Sequence, residues 1–216
     1  MASKSADLHG NAPDKADVAL LLIDVINDLE FPGGENLLIH AEPMARRIVE
    51  LKRQARAADI PVIYVNDNFG RWQSNFKTQI EHCLKAGTRG KPIVELLLPD
   101  EEEDYFVLKP KHSGFFSTTL DILLEYLRVK AVILAGIAGN ICVLFTANDA
   151  YMRDLALIVP GDCVASNTEE ENRNALDQMA RVLKADIRPS NELDFGELLR
   201  VQRERPRNSP HPIRTG

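Results

Sequence analysis

Residues 131–143 read AVILAGIAGNICV: five apolar residues, a glycine-rich turn and a cysteine. An apolar run without polar interruption fits a strand buried on both faces, as in a parallel sheet. The spacing predicts that strand over Ala131–Ala135 and a helix over Ile141–Arg153. Strand, tight turn and helix form half of a βαβ unit, and the rest of the chain repeats the pattern. VALLLI at 18–23, PVIYV at 61–65, YFVL at 105–108 and LALIV at 155–159 read as strands, with a short one near Ile187. Met44, Ile48, Leu51 and Ala55 recur at helical spacing, so a helix is predicted over 43–58 with Pro43 in its first turn. Thr118 with Asp121 and Thr168 with Glu171 have capping-box spacing, opening helices to Arg128 and to about Lys184. Strand and helix in alternation predict a mainly parallel sheet, and right-handed crossovers make it a three-layer α/β/α sandwich.

The chain has 216 residues, which favours one domain, placed at 17–200. Residues 1–16 read as a flexible N-terminal lead. Residues 201–216, rich in proline and arginine, read as a flexible or partner-docked tail. Asp67 to Glu103 is too long for a bare loop and is expected to hold helical turns or a lid. The net charge of -6 argues against nucleic acid or an anionic membrane as a main partner. No apolar run reaches the roughly 20 residues of a membrane span, and the polar N-terminus carries no secretory signal. The three cysteines, Cys83, Cys142 and Cys163, are a poor disulfide framework and suit a reducing cytosol, so a cytoplasmic location is expected. A small-molecule substrate is the partner that remains.

In parallel sheets ligands bind beyond the carboxyl ends of the strands. Three strand ends carry reactive groups: Asp24 after the first, Lys109 after the third, and Gly136-Ile137-Ala138-Gly139-Asn140-Ile141-Cys142 after the fourth. A thiol is a weak nucleophile until it becomes a thiolate, and a cation and a helix N-terminus both favour that form. Lys109 is the available cation, and Asp24 can take the thiol proton and return it to a leaving amine. Backbone N–H groups in the glycine-rich turn can receive an oxyanion, with Gly136 and Gly139 permitting the unusual backbone. Each residue also has a plainer reading. An aspartate at a strand end caps turns, a lysine there faces solvent, and a lone cysteine fills a core, as expected for Cys83 and Cys163.

Three stretches go beyond spacing: LLLIDVINDLEFPGGENLL (20–38), VLKPKHSGFFSTTLDILL (107–124) and LAGIAGNICVLFTANDAYMRD (134–154). Together they resemble the isochorismatase-like hydrolases, or cysteine hydrolase superfamily, over about residues 18–190. The resemblance implies a catalytic triad of Asp24, Lys109 and Cys142, with Lys111 the rival for the lysine's place. It also implies a non-proline cis peptide between Ile137 and Ala138, an oxyanion hole of the Ala138 and Cys142 N–H groups, and a homodimer or homotetramer. This sequence departs in having Ile26 where glutamine is common and Gly139-Asn140 where Thr-Asp is common. Nicotinamidases of the superfamily bind a metal through histidines after the second strand. Asn66-Asp67-Asn68-Phe69-Gly70-Arg71-Trp72 has none, and His82 stands alone in the region, so no cofactor or catalytic metal is expected. The implied activity is hydrolysis of a small amide, carbamoyl or ureido compound through a thioester. The alternatives are vinyl ether hydrolysis by the aspartate, and a non-catalytic binding role. Asn68, Arg71, Trp72 and Phe115 are candidate substrate contacts, with Arg71 a carboxylate fork and Trp72 a stacking wall or a packing residue. His112 is expected to be structural or exposed.

Overall fold

The computed structural model describes residues 15–70 and 75–206. Most of the N-terminal lead, Arg71, Trp72 and the tail from 207 lie outside the described residues.

Strand β1, Val18–Ile23, is buried at every position. Its even side chains, Val18, Leu20 and Leu22, join one core, and its odd ones, Ala19, Leu21 and Ile23, join another. Two-sided burial is why the strand shows no polar alternation. The first core packs on α1 (Gly34–Ala57), α2 (Phe76–Cys83) and α3 (Lys91–Leu96). The second packs on α4 (Leu120–Leu127), α5 (Leu144–Tyr151) and α6 (Glu169–Leu183). The result is the expected three-layer sandwich.

Every strand pair is parallel, and the sheet order is β3-β2-β1-β4-β5. β2 is Val62–Asp67, β3 is Tyr105–Lys109, β4 is Ala131–Ile137 and β5 is Ala156–Ile158. A two-residue β6, Val164–Ala165, pairs with the carboxyl end of β4. The chain winds outward from β1 to β3, then crosses back to the far side of β1. This reversal puts a topological switch point at the carboxyl ends of β1 and β4, the place where such folds bind ligands.

Several local expectations change. α1 begins at Gly34, after the left-handed Gly33, and Pro43 lies inside it. Leu37 and Ala41 extend the buried stripe of Met44 and Ile48 toward the N-terminus. Pro43 removes one backbone bond on the exposed side of the helix, and burial of that stripe carries the helix through it. Thr168 caps α6 as its spacing predicts, accepting from the Glu171 N–H at 3.2 Å. Thr118 does not cap with Asp121. Thr119 precedes α4, while the Thr118 hydroxyl donates to the Gly114 carbonyl and accepts from the Leu120 N–H. The strand expected near Ile187 is a single bridge between Ile158 and Asp186. The 67–103 segment holds α2 and α3. At the ends, Ala16 is already buried and bonded to Leu127, and α7, Phe195–Glu204, continues beyond the boundary expected at 200. Its Gln202 carbonyl accepts from Lys130 Nζ at 2.8 Å, so its last turn is docked. Among the described residues no helix is long and apolar enough to cross a membrane.

Gly136 pairs in register with Ile23 and has φ +121°. A Cβ there would sit 2.1 Å from the Ile23 carbonyl oxygen, a backbone atom that cannot move without breaking the β1–β4 pairing. Gly136→Ala is therefore expected to cost at least about 3 kcal/mol, from left-handed strain plus overpacking. Urea denaturation checks this; a loss under about 1 kcal/mol contradicts it.

Candidate active site

Asp24 is the first residue beyond β1 and adopts φ +51°, a conformation aspartate tolerates better than most side chains. Its N–H donates to the Val65 carbonyl, which keeps it against β2. Carboxylate Oδ1 accepts from the Asp67 N–H at 2.7 Å, and Oδ2 lies 2.8 Å from Lys109 Nζ. Lys109 ends β3, level with Asp67 on β2. Its side chain is 0% exposed. An ammonium has three donors. Here they face Asp24 Oδ2, the Lys111 carbonyl at 3.2 Å and Cys142 Sγ at 3.5 Å.

Cys142 does not lie at an α-helical N-terminus. It sits on a π-helical turn, Gly139–Val143, between β4 and α5, in which the Val143 N–H reaches back to the Ala138 carbonyl. The peptide bond joining Ile137 to Ala138 is cis. Gly139 is required by space: a Cβ would lie 2.5 Å from Asn172 Oδ1 and 2.6 Å from Val164 Cγ1. Asn140 N–H donates to Ser166 Oγ, Ser166 donates to Asn172 Oδ1, and Asn172 Nδ2 donates to the Val164 carbonyl. The turn is thereby tied to β6 and α6. Thr146 donates to the Cys142 carbonyl and accepts from the Gly114 N–H, tying it also to the loop after β3.

The electrostatics correct the expectation that Lys109 and a helix N-terminus lower the Cys142 pKa. Burial, reinforced by the Asp24 carboxylate, pushes the Cys142 thiol up to about 12, and Lys109 only partly opposes this. Burial also raises the Asp24 pKa against the pull of Lys109, which makes its carboxylate a stronger base. For Lys109 burial acts against the cation, but Asp24, Cys142 and Asp67 outweigh it and hold the ammonium charged. The site holds a protonated thiol, an acid in contact with it whose basicity burial strengthens, and a fixed cation. Such a set can pass the thiol proton to Asp24 during attack on a bound electrophile, which leaves negative charge on sulfur beside an ammonium that touches both.

Other candidates divide. Lys111 is exposed and contributes its carbonyl, not its ammonium. The Asn68 N–H donates to the Lys109 carbonyl, and its side chain lines a cavity of about 180 Å³ with Asp28, Phe69, Asn75, Thr78, Gln79 and His82. The His82 ring in that cavity pairs with Asp28 at 2.9 Å. Phe115 is 5% exposed in the core beneath α4 to α6, with the Arg153 guanidinium over its ring. Arg71 and Trp72 lie outside the described residues. His112 is exposed as expected, yet its Nδ1 is 3.8 Å from Cys142 Sγ. Its place three residues after Lys109 was the available signal. The Asp67 N–H and the Lys111 carbonyl had none, because any residue supplies those groups.

Alkylation of Cys142 by iodoacetamide, followed by peptide mass spectrometry, reports the thiolate. Its rate is expected to be still rising at pH 10, where an ordinary thiol of pKa about 8.5 has levelled off. A plateau below pH 9 contradicts the buried-thiol reading.

Comparison with known proteins agrees with this architecture. The family model for the isochorismatase domain matches residues 18–187. The isochorismatase family protein YaaI of Bacillus subtilis is 46% identical over 179 residues, covering 83% of this chain and 97% of that protein. The ureidoacrylate amidohydrolase RutB of Methylobacterium radiotolerans is 30% identical, covering 76% of this chain and 74% of that protein. The crystal structure of N-carbamoylsarcosine amidase from Thermoplasma acidophilum superposes with TM-score 0.64 at 27% identity, covering 83% of this chain and 99% of that one. A parallel sheet with an acid, a buried lysine and a cysteine at its switch point is thus accompanied by similarity over nearly the whole described chain, which belongs to the isochorismatase family of hydrolases.

Proposed function

We propose that the chain is a metal-independent cysteine amidohydrolase acting on a small amide, carbamoyl or ureido compound. The observation that carries this is the position of Lys109 Nζ, 2.8 Å from Asp24 and 3.5 Å from the Cys142 thiol. Asp24 takes the thiol proton as Cys142 Sγ attacks the substrate carbonyl. The carbonyl oxygen becomes an oxyanion facing the Ala138 and Cys142 N–H groups. The C–N bond then breaks, and the proton held by Asp24 leaves with ammonia or an amine. Water hydrolyses the thioester and regenerates the thiol. Lys109 stays charged throughout and compensates the negative charge wherever it resides.

Two relatives support the substrate class by their own activities, one a ureidoacrylate amidohydrolase and the other an N-carbamoylsarcosine amidase. Charge developing in the reaction is met by Lys109 and backbone N–H groups, so the reading requires no metal ion. Vinyl ether hydrolysis would need Asp24 but leave Cys142 idle, which gives the thiol's contacts with Lys109 and Asp24 no purpose.

A screen of ureido acids, carbamoyl compounds and small amides for ammonia release identifies the substrate. On it, Cys142→Ala is expected to lose at least about 10³-fold in kcat, and Asp24→Asn about 10²-fold to 10⁴-fold. Undiminished hydrolysis by Cys142→Ala contradicts the proposal. Loss in Asp24→Asn alone would transfer the reaction to the aspartate.

A further inference from the structure

The edge of a sheet presents backbone groups that need a partner or water. The two edges of this sheet are treated differently. At the β5 edge the chain covers itself: the Asp186 N–H donates to the Leu157 carbonyl, and the Val159 N–H donates to the Asp186 carbonyl. The β3 edge has no such cover among the described residues. The Lys109 carbonyl accepts from the Asn68 N–H on the β2 side. Residues that bond to a neighbouring strand alternate, so Tyr105, Val107 and Lys109 face β2. The N–H and C=O groups of Phe106 and Leu108 point the other way, and no backbone group among the described residues pairs with them.

The side chains do not protect this edge either. Edge strands that stay free carry lysine, proline or a bulge that blocks pairing. Residues 105–108 read YFVL, and the charge that follows, Lys109, is turned into the site. A groove of about 410 Å³ runs between the strand and α4, and no charged residue lines it. Phe106, Ile122 and Tyr126 in this groove are 36%, 69% and 46% exposed. At about 200 Å² for a large side chain, they leave on the order of 300 Å² of apolar surface in one place, the size at which a patch marks an interaction site. One side of a standard interface buries about 800 Å², somewhat over half of it apolar, so these three side chains supply a large share of what a stable contact needs.

We propose that this face holds a second copy of the chain, joined by antiparallel pairing of β3 with the partner's β3 about a two-fold axis at Val107. The edge is complementary to itself. With Val107 opposite the partner's Val107, Phe106 stands opposite the partner's Leu108, and Leu108 opposite the partner's Phe106. Each of these pairs exchanges two N–H to C=O bonds, so all four outward groups on each copy are satisfied. The same axis brings Ile122 and Tyr126 on one α4 toward those on the other, in an isologous interface. A second copy offers both a matching edge and a matching apolar face, whereas a foreign extended peptide offers only the first. β3 ends in Lys109, so the pairing braces the strand that carries the cation of the site.

Sedimentation equilibrium of the full chain measures the assembly, and amide hydrogen exchange followed by NMR locates it. The wild type is expected to sediment as a dimer or a multiple of one, with the Phe106 and Leu108 amides protected. Ile122→Lys combined with Tyr126→Lys sets like charges against each other across the axis, at positions exposed enough to leave the fold intact, which circular dichroism checks. In this variant the dissociation constant is expected to rise at least about 10²-fold. Exchange at Phe106 and Leu108 then becomes fast, while Val107, whose N–H faces β2, keeps its protection. If the variant fails to fold, dilution of the wild type decides: dissociation must release the Phe106 and Leu108 amides and not that of Val107. A wild type that stays monomeric up to its solubility limit overturns the inference and leaves the face to a different partner. So does an assembly that persists in the folded variant, or one in which the Phe106 and Leu108 amides exchange freely.

Discussion

Lys109 holds an ammonium group where water does not reach, and a charge so placed is tolerated only when its hydrogens all find acceptors. The acceptors come from three separate parts of the chain: the end of β1 through Asp24, the loop after β3 through Lys111, and the turn after β4 through Cys142. None is near the others in sequence. The parallel register brings them together, because Ile23 stands opposite both Val65 and Gly136, and Asp67 opposite Lys109. A second buried lysine shows that this is not a general feature of the fold. Lys52 also has three partners, Tyr64, Asp104 and the Leu98 carbonyl, yet its pKa is lowered by burial. It knits α1 to the sheet and touches no nucleophile. Lys109 differs by facing two acidic groups at once, with Asp67 adding to the field.

The chemistry follows from this one cation. A thiol next to a lysine is ordinarily read as activated, but here burial wins and the sulfur stays protonated at rest. Activation is therefore a proton transfer inside the site and not a standing thiolate. In the proposed reaction such a thiol attacks a bound carbonyl and resists stray electrophiles. Asp24 is matched to that task, since the burial that protects the thiol also strengthens the base.

Much of the sheet was legible because two-sided burial writes itself as runs of apolar residues, VALLLI and AVILA above all. Strand ends, where a parallel sheet exposes side chains, made Asp24, Lys109 and Cys142 candidates; the resemblance named them as a triad, and the structure brings them into contact. What escaped detection was set by tertiary contact. β6 is too short to leave a pattern, and Pro43 looked like a helix start because its effect depends on what the preceding turns bury. Phe115 looked like a pocket wall by its place in a motif, yet the loop turns its ring into the core. The approach of His112 to the thiol depends on the backbone path from Lys111 to Gly114, which side-chain anchors on α5 decide. The π-helical turn has the same origin: Gly139 is there to clear Asn172 and Val164, a reason that exists only once α6 and β6 are in place.

On the proposed mechanism the Asp24–Lys109 pair serves the thiol and not stability. Replacing both members of a buried ion pair is often neutral or stabilising, while removing one strands the other. Asparagine keeps the acceptor for the Asp67 N–H and tolerates the left-handed backbone at position 24. Urea denaturation of the Asp24→Asn, Lys109→Met double variant, beside Asp24→Asn alone, is the direct measurement. The expected result is a double variant at least as stable as wild type but without hydrolytic activity, and a single variant weaker by about 3–5 kcal/mol. A double variant as unstable as the single one, or one that still turns over substrate, would contradict it.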